Sequence, residues 1–412
     1  MSQTVAPDSA SPRTSRLPLI IFCGCAIACL TFGPRATSGL MLTPISDTNG
    51  WGRDVFALSF AIQNLLWGIG QPFAGGFADR FGARPVLIVG GLLYAAGLAL
   101  MPLSTSPGAM HISAGVLIGF ALSGASFSII IGAFAKLLPP EWRTLGFGFG
   151  TAAGSFGQFL FTPLASALIG AYGWQTTAWI FAGLMLLVLP LSIPLATRPV
   201  AGAGPTAPAH DQSIRQALSE AFATPSYWLL VIGFFTCGFH LAFITAHLPP
   251  FLIDQGISPQ VGGWALALIG LFNIAGSLSS GVLSGRLPKR HILAAIYFAR
   301  ALLIAGFVFT PVTPTTALIF GGGIGLLWLS TIPPTSGLVA TMFGTRYMTM
   351  LYGVAFLSHQ IGSFVGVWLG GALYEAYGNY DLIWKIAIGL SIMSALVNLP
   401  IREKPVARLA AA

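Results

Sequence analysis

Apolar residues in this chain come in runs far longer than a helix of a water-soluble core needs, and the breaks between the runs are short and polar. Twelve runs can be drawn, over residues 17–44, 54–77, 85–103, 109–136, 144–170, 175–197, 226–251, 261–284, 291–311, 314–338, 347–373 and 381–400. A helix needs roughly 20 apolar residues to cross the hydrocarbon core of a bilayer. The pattern therefore predicts an all-α membrane protein of twelve transmembrane helices. One connection alone is long: residues 198–225 contain Pro, Ala, His, Asp, Gln and Glu with little apolar continuity, and they split the runs into six plus six. Within it, 213–222 is expected to form an amphipathic helix lying on the membrane surface. The predicted layout is a disordered tail over 1–16, rich in Ser, Pro and Thr, a six-helix bundle over 17–197, the connection, a second bundle over 226–401 and a tail over 402–412. Arg13 and Arg16 before an apolar run resemble the start of a signal peptide, but the run from Leu17 to Leu42 exceeds a signal's apolar region and reads as a retained span.

The two bundles are related in sequence. A shift of 205 residues lays Thr31, Gly33 and Pro44 on Thr236, Gly238 and Pro249, and Gly76 on Gly281. It carries Gly132, Gly148 and Gly157 to Gly337, Gly353 and Gly362, and Ala171-Tyr172-Gly173 to Ala376-Tyr377-Gly378. Two parallel repeats with polar groups near mid-depth are a transporter's architecture. The same shift superposes Arg35 on His240 and Gly154 on His359. The helix-breaking positions repeat because both halves pack alike, whereas these ionisable positions break the symmetry.

Composition agrees with a lipid solvent: 55% of residues are hydrophobic and 7% charged, against about 25% charged in a soluble domain. The net charge of +8 does not imply nucleic acid, because no basic run exceeds the short cluster Arg286, Lys289 and Arg290. The basic residues instead sort by side. The termini and even-numbered connections carry fifteen of them: Arg13, Arg16, Arg80, Arg84, Lys136, Arg143, Arg198, Arg215, Arg286, Lys289, Arg290, Arg346, Arg402, Lys404 and Arg408. The opposite side holds Arg53 and Lys385, beside Asp47, Asp54, Asp254, Glu375 and Asp381. Basic residues collect in the cytoplasm, so both termini are expected there, in a multi-pass protein of the inner membrane. Cys23, Cys25, Cys29 and Cys237 lie in apolar stretches without metal-ligand spacing and read as packing residues. Neither a metal nor a cofactor is expected.

The connection after the second run reads Gly75-Gly76-Phe77-Ala78-Asp79-Arg80-Phe81-Gly82-Ala83-Arg84. It resembles the signature loop of the major facilitator superfamily, and the resemblance implies that fold, with Gly76, Asp79, Arg80 and Arg84 forming a conformational latch that holds in one state and opens in another. The second repeat keeps Gly281 and Arg290 but has Gly285 near the Asp position. Within the superfamily, three places resemble the monocarboxylate transporter and oxalate/formate antiporter group. Pro34-Arg35 is similar to a Pro-Lys whose lysine serves the substrate carboxylate. Gln71-Pro72 before Asp79-Arg80-Phe81-Gly82 matches the second span, and Tyr352-Gly353 with His359 matches the eleventh, where a lysine contacts substrate. The chain departs from the group in span eight, where Ser277 stands in place of a substrate-binding arginine, and in the partial match of Asp47-Thr48-Asn49-Gly50-Trp51-Gly52.

The site candidates follow from depth. A charged side chain at the bilayer centre costs at least about 2.5–3.5 kcal/mol and faces a cavity or a partner. Arg35, whose donor fork suits a carboxylate, is the first candidate; snorkelling or bridging helix ends is its structural alternative. His240, its repeat partner, either contacts substrate, carries a coupled proton, or packs. His247 reads equally as an outer gate residue and a structural one. His359 is placed in the cavity by its family match. Arg300 either reaches inward to replace the missing span-eight arginine or braces helices through backbone carbonyls. Gln63 and Asn273 are neutral polar candidates beside Asn64, Gln158 and Trp328, although polar residues also bond between membrane helices. Gly146, Gly150 and Gly154 read as a packing stripe, and Pro333-Pro334 as a bend.

None of the eleven acidic residues lies deep in a run, so a basic and neutral cavity should attract an anion. The expectation is a secondary transporter of a small organic anion, a monocarboxylate by the resemblance, working by alternating access with protons or a counter-anion as coupled species. Its partners are that small molecule and the lipid bilayer. An exporter of lipophilic drugs or another non-anionic solute is the alternative. No phosphate-binding GxxxxGK[ST] loop is present for a primary pump, and neither paired deep carboxylates nor a Ser/His/Asp set suggests an enzyme.

Overall fold

The structure, a computed structural model, describes residues 17–197, 212–344 and 347–410. The predicted tail before Leu17, residues 198–211 of the long connection, Arg346 and the last two residues lie outside the described residues, as does the side chain of Asp79. Everything regular among the described residues is helical. Ten segments are long and apolar enough to cross a membrane, and two features reconcile that number with twelve spans. The segment Gly146–Leu191 contains spans five and six, separated at Gly173, whose φ of 81° breaks the helix. Span two, Arg53–Phe81, has 29 residues, about 43 Å at 1.5 Å per residue, but Gln63, Asn64 and Gln71 lower its hydropathy. The repeated Ala-Tyr-Gly now has a cause. Gly173 and Gly378 both adopt positive φ, a conformation open to glycine, at the ends of spans five and eleven.

Spans one, four and ten are each discontinuous near the middle. Span one consists of Leu17–Ala36 and Ser38–Asn49, span four breaks between Ile118–Gly124 and Phe127–Leu137, and span ten consists of Pro314–Leu327 and Ile332–Phe343. The break in span ten follows from Pro333 and Pro334, which lack the N–H groups that would bond to Leu329 and Ser330. Those carbonyls find substitutes: the Ile332 N–H donates to Leu329 O at 3.0 Å, and the Ser280 hydroxyl donates to Ser330 O. Lipid supplies no hydrogen bonds, so each freed backbone group needs a protein partner.

The six-helix halves meet along spans two and eleven, five and eight, and the later parts of one and seven. Helices in lipid associate by close packing, which small residues permit. Gly39 rests on the carbonyls of Thr245 and Ala246, and a side-chain carbon at Gly371 would lie 2.7 Å from the Ala57 Cβ. Across spans five and eight, the Asn273 amide donates to Ser155 Oγ at 2.8 Å, and the Gln158 amide to Leu266 O at 3.0 Å.

The halves are closed on the side away from the termini. Arg53 donates two hydrogen bonds to Asp254, at 2.6 and 2.7 Å, and one to the Tyr380 hydroxyl at 3.2 Å. Its guanidinium lies 4.0 Å from the Tyr374 ring centre, and its backbone N–H donates to Glu375 at 2.7 Å. Toward the terminal side the halves separate. Beyond Gln71, span two exposes Pro72, Phe73, Gly76, Phe77, Arg80 and Phe81, and span eight exposes Leu278, Ser279, Gly281, Val282 and Leu283. A helix backed by a partner exposes one face; these expose several. Ile214–Phe222 of the long connection forms a helix with a capping box between Ser213 and Gln216, and it buries its own Ala217 and Ala221.

Candidate functional site

Arg35 sits one residue before the end of the first segment of span one and points at span two. Its Nη2 donates to Asn64 Oδ1 at 2.5 Å. The guanidinium lies 4.9 Å from the Trp67 ring centre and 5.6 Å from that of Phe60. Asn64 is itself held, its amide donating to Phe60 O at 2.7 Å. Arg35 keeps some exposure, yet its Nε is buried without a hydrogen-bond partner. No carboxylate pairs with it among the described residues. An arginine positioned by a neutral amide and two aromatic faces, with donors to spare, retains its charge for an incoming anion.

His359 lies across the interface, in span eleven. Its ring stacks on Phe356 at 5.6 Å with an interplanar angle of 11° and lies 5.0 Å from Phe234. Nδ1 is 3.1 Å from Gln360 Oε1. Phe356 meets Trp67 edge-on at 5.7 Å, and Trp67 meets Phe32 at 6.1 Å. Arg35 and His359 are therefore joined by an aromatic band that crosses from one half to the other, at the point where close contact gives way to the opening.

The other sequence candidates fall elsewhere. His240 does not stand beside Arg35: it is fully buried, with Nε2 2.9 Å from Ala387 O of span twelve and Ser391 Oγ at 3.5 Å. The repeat equates backbone positions, but within their respective halves His240 turns toward span twelve whereas Arg35 turns toward span two. Arg300 is also fully buried. Its Nη2 donates to Leu327 O and Trp328 O, each at 2.5 Å, and Nε to Leu327 O at 3.2 Å. It caps the first segment of the broken span ten. Asn273 caps the same break from the other direction, accepting from the Leu329 N–H at 2.9 Å while bonding across to Ser155. Gln63 turns away from the other half, its amide donating to Ala114 O at 2.9 Å. With Arg35 and Tyr94 it lines a cleft of about 20 Å³ inside the first half, room for about one water molecule. His247 belongs to the closed side, between Val367 O at 2.9 Å and the Tyr380 hydroxyl at 3.2 Å.

The four latch positions lie where the halves are apart. Gly76 faces open space, Arg80 is exposed with its guanidinium 5.2 Å from the Phe81 ring, and Arg84 is exposed. Neither arginine has an ion pair among the described residues. Sequence reasoning missed the Arg53–Asp254 lock, although a signal existed: Arg53 is one of two basic residues on an otherwise acidic side. It also missed Trp67 and Phe356, since nothing in a row of aromatic residues marks the two that meet.

Comparison with known proteins places the chain. The model for the Major Facilitator Superfamily matches residues 23–366. An uncharacterised transporter of that type from Bacillus subtilis (strain 168), YcxA, is 28% identical over 97% of this chain and 98% of its own. The oxalate:formate antiporter of Oxalobacter formigenes is 24% identical over 93% of this chain and 91% of its own, and monocarboxylate transporter 13 of Rattus norvegicus 23% over 84% and 79%. Among solved structures, a bacterial homologue of the human lysosomal transporter Spinster, described as inward-facing and unoccupied, has a TM-score of 0.71 over 95% of both chains at 16% identity. A mutant of the nucleoside transporter NupG has a TM-score of 0.75 at 15% identity, covering 93% of this chain and 99% of that one. With twelve spans in two repeats and a family match over most of its length, the chain belongs to the major facilitator superfamily and is a membrane transporter, not an enzyme.

Proposed function

We propose that the protein is a secondary active transporter of a small organic anion, a monocarboxylate, moved by alternating access. The observation that carries this reading is Arg35, a partly exposed arginine at mid-depth with unused donors and no carboxylate beside it among the described residues. A buried charge in lipid must be paired or neutralised, and a substrate carboxylate completes this site. Asn64 holds the guanidinium, and His359 and Gln360 supply polar groups at the far end of the aromatic band. The relatives named for oxalate, formate and monocarboxylates agree with an anionic cargo, while the likeness to a nucleoside transporter speaks for the fold alone. The excess of basic residues on the terminal side supports a cytoplasmic location for both termini and an inner-membrane protein, so that the open side faces the cytoplasm. Gly76, Asp79, Arg80 and Arg84 would then latch the halves when the cavity opens outward, replacing the Arg53–Asp254 lock. Protons or a counter-anion are the coupled species in this reading.

The test is a thermal-stability screen of purified protein against carboxylic acids, repeated with Arg35→Gln and His359→Ala. Stabilisation of the wild type that Arg35→Gln abolishes supports the reading. It fails if no acid stabilises the wild type, or if every stabilisation survives both substitutions. Retention of transport of an uncharged lipophilic solute by Arg35→Ala would favour an exporter of non-anionic compounds instead.

A further inference from the structure

Resting on the anion reading of Arg35, we infer that the cargo is an aromatic monocarboxylate, with its carboxylate on Arg35 and its ring against the Trp67–Phe356 band. The charge count restricts the anion first. Of the cations deep in the spans, Arg300 has no exposed surface, and although its Nη1 is unpartnered, its Nε and Nη2 are held by the Leu327 and Trp328 carbonyls; position 277 is a serine whose hydroxyl donates to Asn273. Arg35 is left as the one permanent cation at the band among the described residues. A second carboxylate on the ligand would lie desolvated and unpaired, which is costly. The site selects a single negative charge.

The walls restrict the remainder. Phe32, Trp67 and Phe356 meet edge to face, and Phe356 stacks on His359. Phe32 and Phe356 are half-buried and Trp67 is 9% exposed, so the band keeps some accessible surface, most of it on the phenylalanines. Arg35 already lies over Trp67, within 4.9 Å of its ring centre. A planar ring attached to the carboxylate can lie against the same surface, edge to face with Phe356 in the geometry that aromatic pairs favour. A two-carbon acid reaches Arg35 but leaves this band uncovered. Burying a ring and pairing it with aromatic faces should tighten binding at least about tenfold over acetate.

Equilibrium binding to the purified full-length chain by calorimetry tests this, with acetate, benzoate, phenylacetate, succinate and benzamide as ligands. The inference expects benzoate or phenylacetate to bind at least about tenfold tighter than acetate, with succinate and benzamide at or below acetate. Phe356→Leu keeps volume near the interface and should weaken the aromatic acids at least about fivefold more than it weakens acetate; Trp67→Phe, a milder variant expected to shift the ratio in the same direction, serves should Phe356→Leu fail to fold. Equal affinity for acetate and benzoate overturns the inference while leaving the anion reading intact, as does equal weakening of both ligands in Phe356→Leu. Tight succinate binding overturns the single-charge argument. If benzamide matches benzoate, or if no acid binds, the anion reading itself falls and the inference with it.

Discussion

Replacing Arg53 with glutamine should open the closed side of the protein. The side chain makes two charge-assisted hydrogen bonds to Asp254, at 2.6 and 2.7 Å, and lies 4.0 Å from the Tyr374 ring centre. These contacts tie span two of one half to spans seven and eleven of the other, so they exist only while that side is closed. Hydrogen bonds to a charged partner contribute about 1.5–3 kcal/mol and an exposed cation–π contact about 0.5–1 kcal/mol. The Arg53 and Asp254 side chains are 12% and 26% exposed, so screening by water reduces the total. A net bias of about 2 kcal/mol remains, worth roughly 30-fold in the closed-to-open ratio. The assay places a cysteine at Ala57, which is fully buried against Gly371 of the other half, in protein whose four native cysteines are replaced. Labelling by a membrane-impermeant maleimide from the closed side should accelerate about 30-fold in Arg53→Gln. Asp254→Asn should give a similar acceleration, and the double substitution little more, since the two residues act through one contact. An unchanged labelling rate in Arg53→Gln would refute the idea that this pair holds the closed side shut.

Three further outcomes are expected. Arg300→Met should lower stability by about 2–4 kcal/mol, because the Leu327 and Trp328 carbonyls lose their donor in a buried site; a fall in melting temperature with ligand affinity retained checks it, and lost affinity at unchanged stability would contradict the capping role. Gly39→Val should disfavour the closed-side conformation, because the added carbons meet the Thr245 and Ala246 carbonyls; cysteine accessibility on that side should rise, and the effect should persist in Arg53→Gln. Asn273→Ala should cost about 1–3 kcal/mol by orphaning the Leu329 N–H and should remove the bond to Ser155 across the halves, measured as a lower melting temperature together with faster labelling.

Much of the architecture was legible because lipid makes simple demands. Each span must be long and apolar, and each turn glycine must recur where the repeat recurs, so Gly173 and Gly378 announced their positions. The site was less legible. Repeat register placed Arg35 and His240 at equivalent backbone positions but carried nothing about the direction of a side chain, and His240 turned to Ala387 instead. Arg300 read as either cavity or brace, and its donors lie on the carbonyls of the broken span ten. The prolines that broke that span were visible in sequence, but the need for two caps, Arg300 and Asn273, followed only from knowing which helices lay alongside. The aromatic band depended on one meeting between Trp67 and Phe356, residues of different halves, and no one-dimensional pattern records such a contact.

The central claim is that Arg35 receives the carboxylate of a transported anion. Saturable uptake of radiolabelled monocarboxylates into proteoliposomes, wild type against Arg35→Gln, tests it most directly, with reconstitution checked by thermal stability and monodispersity. The account predicts uptake of at least one monocarboxylate by the wild type and its loss in Arg35→Gln protein that is equally well folded. Undiminished uptake by Arg35→Gln would contradict it.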